Sequence, residues 1–126
     1  MLEILECKDI EKYSHILNNI KTDGKLHVVE AFNKNNVIGY GIYAYNLEVV
    51  EIFDFDDGGD LYLGDGIIRS ILFKACLKGI DDAVFKINNS DKISKLEKLN
   101  FVKGDNKVLN SINDFMNSCK NCKKID

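Results

Sequence analysis

The chain has 126 residues, 45% hydrophobic and 29% charged. That length and balance exclude a disordered chain and leave no room for two domains of ordinary size. A net charge of −3 and a single arginine, Arg69, exclude a broad basic surface for nucleic acid and make bidentate phosphate clamps scarce. No apolar run approaches the roughly 20 residues that span a bilayer, and the first residues lack a basic-then-apolar leader pattern, so the expected setting is the cytoplasm.

Leu2, Ile4 and Cys7 alternate with Glu3 and Glu6, which predicts a short strand. Asp9 then reads as an N-cap for a helix reaching about Ile20, with Tyr13, Ile16, Leu17 and Ile20 on one face and Gly24 as a left-handed stop. Residues 26–32 and 37–45 read as two strands joined by an Asn/Lys-rich turn at 33–36, and 48–55 as a third, giving an antiparallel meander. An acidic, glycine-bearing loop at 56–60 precedes a helix from about Gly64 to Lys78, whose stripe is Ile67, Ile68, Ile71, Leu72, Ala75 and Cys76. Gly79 ends it. Residues 83–87 form a buried strand, and Asn88-Asn89-Ser90 opens a helix facing Ile93, Leu96 and Leu99 inward. Residues 101–103 and 107–109 suggest a hairpin, and Ser111 with Asp114 caps a last helix. The predicted order β-α-β-β-β-α-β-α-β(-β)-α is a single mixed α/β domain without repeats.

Chemistry concentrates at Leu61-Tyr62-Leu63-Gly64-Asp65-Gly66-Ile67-Ile68-Arg69, read as a strand, a glycine turn and a helix start. The unpaired N–H groups of a helix start and its dipole favour an anion, and glycines let a phosphate approach the backbone. The alternative is a plain tight turn. Asp54, Asp56, Asp57, Asp60 and Asp65 crowd the same segment and oppose an anion there, with Arg69, Lys74 and Lys78 available to offset them. Their spacing imitates a calcium loop, but Gly58 stands at the fifth position, an Asp at the twelfth, and a strand precedes it where a helix is required, so no metal is expected.

The meander, the glycine turn with its helix, the strand at 83–87, and Asn89 followed by Lys98-Leu99-Asn100-Phe101 resemble the GCN5-related N-acetyltransferase superfamily over residues 26–109. In that family a Gln/Arg-x-x-Gly-x-Gly/Ala loop holds the pyrophosphate of acetyl-CoA, and Gly64 and Gly66 fall on its two small positions. Glu97-Lys98-Leu99 and Phe101 match the family phrase Tyr-Glu-Lys-Leu-Gly-Phe. The resemblance implies an abbreviated acyl-CoA N-acyltransferase fold of α+β type with a mixed sheet. It also implies acetyl-CoA as co-substrate and a small amine or protein amine that attacks the thioester directly. Phe53 and Phe55 on a splayed third strand, with Leu63, Gly64, Asp65, Gly66, Ile67 and Asn89, would meet the cofactor. Glu51 is the candidate base, against the alternative of a solvated strand residue. Leu61 replaces the loop's Gln/Arg, Leu96 the Tyr that serves as general acid in many members, and Asn100 the Gly. Only one helix separates the first strand from the meander, where the family has two that wall the acceptor site. A rival reading keeps the fold without the chemistry, as a CoA-binding or protein-interaction module.

Cys119 and Cys122 can supply half a zinc site, shared in a homodimer, or a redox-sensitive pair activated by Lys120, Lys123 and Lys124; inert thiols are the alternative. Cys7 and Cys76 read as small buried hydrophobes, and His15 and His27 as ordinary surface or edge residues.

Overall fold

The computed structural model describes residues 2–117, so the expectations for Cys119 and Cys122 lie outside the described residues. Six strands form one sheet in sequence order: β1 (Leu2–Glu6), β2 (Leu26–Asn33), β3 (Asn36–Asn46), β4 (Val49–Asp56), β5 (Asp82–Phe85) and β6 (Val108–Asn110). Every neighbouring pair is antiparallel except β4 and β5, which are parallel. A parallel pair needs a crossover, and α2 (Leu61–Leu77) supplies it. The other helices are α1 (Ser14–Leu17), α3 (Ser90–Lys98) and α4 (Ile112–Asn117).

Local chemistry explains the meander. Lys34 and Asn35 both take positive φ, 53° and 71°, which is the twist a two-residue hairpin turn requires. Alternation along the strands then divides the apolar side chains between two faces. One face, with Val29, Ala31, Tyr43, Val50 and Ile52, packs on Ile67, Ile68, Ile71, Leu72 and Ala75 of α2 and on Leu96 of α3. On the other face Val28 and Ile42 meet Cys7 and Tyr13, with Ile16, Leu17 and Ile20 closing over them. The sheet therefore lies between a thick helical layer and a thin one. Gly39 and Gly41 let α2 approach β3 closely, since a Cβ on Gly41 would stand 2.7 Å from Ile67 Cγ2.

Five expectations change. The N-terminal helix is a 3-10 turn (Ile10–Tyr13) followed by the four residues of α1, and Asp9 makes no side-chain cap. Gly24 is not left-handed; it is small because a Cβ would fall 2.2 Å from the Tyr45 carbonyl oxygen. Residues 61–63 are helical, because the Asp60 carboxylate accepts from the Tyr62 N–H and starts α2 at Leu61. The expected hairpin arm at 101–103 is reduced to a single bridge between Lys103 and Asn106, and β6 pairs with β5. At α4 the carboxylate of Asp81 accepts the Asn113 N–H at 2.9 Å, while Ser111 is itself left-handed at φ 60°.

Both main helices end as their sequences require. Gly79 (φ 81°) and Asn100 (φ 69°) occupy the left-handed position after α2 and α3. Each is followed by paired backbone bonds back into the helix, Ile80 N to Ala75 O and Phe101 N to Leu96 O, both at 2.9 Å. Asn100 thus fills the left-handed position with the residue that, after Gly, best tolerates that conformation.

Candidate functional site: a forked sheet beside a self-capped helix start

The parallel pairing of β4 and β5 runs from Val49 opposite Asp82 to Ile52 opposite Phe85, and a last bond joins Lys86 N to Ile52 O at 2.8 Å. Beyond it the strands part. Residues 54–56 of β4 keep β3 as their neighbour and present a free backbone edge on the β5 side. The register slips between Ile42 and Tyr43, so that Phe53 bulges out of the β3–β4 ladder at the mouth of the fork. Phe53 packs on the α1 side, and Phe55, 1% exposed, lies in the α2-side core.

The loop from β4 to α2 is short and most of its backbone donors are already used. Gly58 N–H donates to Asp56 Oδ1 and Gly59 N–H to Asp57 Oδ1, both at 2.9 Å, and Tyr62 N–H donates to Asp60 Oδ1 at 3.0 Å. Asp54 Oδ1 accepts the Phe55 N–H in the same manner. The aspartates that sequence reading placed around an anion site thus occupy the donors an anion would need. Gly64 and Gly66 lie in the body of α2, not ahead of it, and the Gly64 N–H donates to Asp60 O. Gly64 lies against Asp57 and Phe55, Gly66 faces Ile4 of β1, and Leu63 and Ile67 are buried. Asp65 forms an ion pair with Arg69 at 3.0 Å, away from the loop. These positions point in different directions around the helix.

Two lysines of α3 reach across the fork. Lys92 Nζ pairs with Asp54 Oδ1, and Lys95 Nζ with Asp57 Oδ2 at 2.9 Å. Burial works to raise the Asp57 pKa, but Lys95 and the Gly59 N–H outweigh it and hold the carboxyl below its ordinary value. Neither lysine is singled out by the sequence, because the aspartates they meet lie 38 residues earlier in the chain. The cations that were expected lie elsewhere. Arg69 sits over the Phe115 and Phe101 rings, at 5.0 and 5.8 Å, while Lys74 and Lys78 are at the far end of α2.

Asn89 caps α3, accepting the Lys92 N–H at 3.0 Å, and so stands at the β5 side of the fork. Leu96 is completely buried, so its position is a core contact. Glu51 is not solvated: it is 2% exposed and opens into a polar cavity of about 490 Å³ lined also by Thr22, Asn46, Lys86 and residues of the α1–β2 loop. Thr22 Oγ1 donates to one carboxylate oxygen and Lys86 Nζ pairs with the other at 2.8 Å. Burial raises its pKa, yet the bonds from Lys86 and Thr22 prevail and hold the carboxyl below its ordinary value. Cys7 is buried and Cys76 half-buried, and burial raises both thiols, which makes them poor nucleophiles.

No protein-family model matches the chain, and no curated protein sequence does. Solved structures do. YhhK from Escherichia coli, determined with coenzyme A bound, superposes with a TM-score of 0.63 at 9% identity, over 88% of this chain and 98% of that one. The PaiA N-acetyltransferase of Thermoplasma acidophilum, also in complex with coenzyme A, gives 0.59 at 9% identity over 86% and 96%. Ribosomal-protein-alanine N-acetyltransferase from Brucella melitensis biovar Abortus 2308 gives 0.60 at 11% identity over 79% and 90%. The fold is that of the GCN5-related N-acetyltransferases, with the forked β4–β5 pair at its centre.

Proposed function

We propose that the protein is an acetyl-CoA-dependent N-acetyltransferase whose amine acceptor enters the cavity over Glu51. The observation that carries this reading is the fork itself: a free β4 edge at residues 54–56, with a buried carboxylate on the same strand opening into a polar cavity. An extended arm bearing amide groups fits that edge, because among the described residues no strand pairs with β4 there and only the Asp54 carboxylate, which accepts the Phe55 N–H, stands in its place. A diphosphate fits less well, since the loop donors are filled by Asp56, Asp57 and Asp60. The cations that would hold it are Lys92 and Lys95, once drawn from their aspartates.

Acetyl-CoA supplies an activated acetyl group, and the acceptor's nitrogen forms a bond to its carbonyl carbon while the carbon–sulfur bond breaks. Glu51, ionised at neutral pH, receives the nitrogen's proton. Its depressed pKa makes it a weak base, which suffices because the N–H becomes strongly acidic once the nitrogen has begun to bond carbon. Thr22 and Lys86 fix the carboxylate's position. No acid stands at Leu96, so the thiolate leaves without a phenol to protonate it.

A second reading is favoured by the ion pairs across the fork and by the filled donors: a scaffold that keeps the fold and binds a protein partner in place of coenzyme A. Release of free thiol from acetyl-CoA with a panel of small amines and peptides decides between them. The enzyme reading predicts acceptor-dependent release that falls at least tenfold in Glu51→Gln. Absence of release with every acceptor supports the second reading.

A further inference from the structure

A second cavity, of about 390 Å³, lies at the opposite end of α2 from the fork, bounded by β1, β2, β3 and the last turn of that helix. The 17 residues of α2 separate the two regions by about 25 Å at 1.5 Å per residue, and nothing in the acyl-transfer reading uses this end. Its walls are aromatic. His27 and Tyr43 face each other across the β2–β3 ladder and stack at 5.2 Å with 24° between their planes. Tyr45 closes the corner, 5.6 Å from each. Tyr43 is the fixed floor: it is 2% exposed and its hydroxyl donates to Glu6 Oε1 at 2.7 Å.

Aromatic walls beside a carboxylate would ordinarily suit a cationic ligand. Here the protein's own cations already fill that role. Lys74 pairs with Glu6 at 2.7 Å and cancels its charge, and Lys78 Nζ stands 5.1 Å from the Tyr45 ring centroid. Burial lowers the His27 pKa, so the imidazole is neutral at pH 7 and adds no charge. One carboxylate against two ammonium groups in the lining leaves the cavity mouth positive while its interior is apolar.

We propose that this cavity is a binding site for a planar aromatic anion, its ring lying against His27, Tyr43 and Tyr45 and its carboxylate or phosphate meeting Lys78. The ring replaces water on aromatic surface, and the anion takes a lysine that has no acidic partner among the described residues.

Naphthoate is a suitable probe, titrated into the intact, isotope-labelled protein and followed by amide chemical shifts. Saturable shifts should cluster at His27, Tyr45, Leu77 and Lys78. The neutral analogue naphthalenemethanol should bind about tenfold more weakly, the loss of one charge-assisted bond. Lys78→Glu, an exposed change at the helix end, should weaken naphthoate about as much as removing the anion does, with the spectrum otherwise retained. Tyr45→Leu keeps an apolar wall and should weaken both probes together. Shifts at the fork, equal affinity for the neutral analogue, tighter binding of tetramethylammonium, or no saturation at millimolar naphthoate would each overturn the assignment.

Discussion

Replacing Gly39 or Gly41 by Ala tests how α2 is seated, and the structure ranks the two. At Gly41 the new methyl would meet the ends of two side chains, Ile67 Cγ2 at 2.7 Å and Ile71 Cδ1 at 2.9 Å. Both are completely buried, so they can rotate only by displacing neighbours. Overpacking of this kind costs about 1–3 kcal/mol, less roughly 0.5–1 kcal/mol that Ala recovers by stiffening the unfolded strand. A net loss of about 1–2 kcal/mol is expected at Gly41. At Gly39 the first contact is the Asp56 carbonyl oxygen at 2.5 Å, which is backbone and cannot rotate away. The β3–β4 ladder must open there, immediately before the loop that starts α2, and about 3 kcal/mol is expected. With a urea slope near 2 kcal/mol per molar, that is a midpoint lowered by about 1.5 M for Gly39→Ala and by about half that for Gly41→Ala. Equal midpoints, or the reverse order, would refute the seating of α2 on β3 and with it the placement of the fork.

Acid should unfold the protein through its paired carboxylates. Glu30, Glu51 and Asp57 are each held below the ordinary values of 4.5, 4.5 and 3.8 in the fold, so the stability they contribute is complete above those values and is lost as pH falls through the lower native ones. The urea midpoint should be level from about pH 7 to 5 and drop below about 4.5; a level profile down to pH 3 would contradict the pairing. Asn100→Gly should change stability by no more than a few tenths of a kcal/mol, whereas Asn100→Val should lower it by about 1–2 kcal/mol, read by the same denaturation. Lys92→Ala removes one strap across the fork and should raise the exchange rate of amide hydrogens at residues 54–56; unchanged protection would show that the ion pair does not hold the fork closed.

The order of the elements along the chain and the meander of β2, β3 and β4 are legible because alternation and turn chemistry are local. Asn and Lys at the β2–β3 turn, the branched residues of β4 and the stripe of α2 each announce themselves within a dozen residues. The start of α2 departs from the sequence expectation for a physical reason. Gly64 and Gly66 look like turn residues, yet Gly64 is in the helix because a Cβ there would press on Asp57, 3.0 Å away. The cap that begins the helix is Asp60, three residues earlier than expected. The straps across the fork join residues as far apart as Asp54 and Lys92, and no periodicity within one helix reports such a pair. Glu51 stands out in the sequence only as a strand carboxylate; its burial and its partners Thr22 and Lys86 come from three separate segments that only the sheet assembles. His27 read as an edge residue because the tyrosines that flank it lie on the neighbouring strand.

The proposed reaction requires that the fork receive acetyl-CoA. Calorimetric titration of the intact protein with acetyl-CoA tests it most directly, with Asp54→Asn as the companion variant, since that change removes one strap and one negative charge from the fork. Saturable one-to-one binding, tighter in Asp54→Asn, is expected. No heat of binding at millimolar acetyl-CoA in either protein would contradict it and leave the partner-binding scaffold as the reading of this fold.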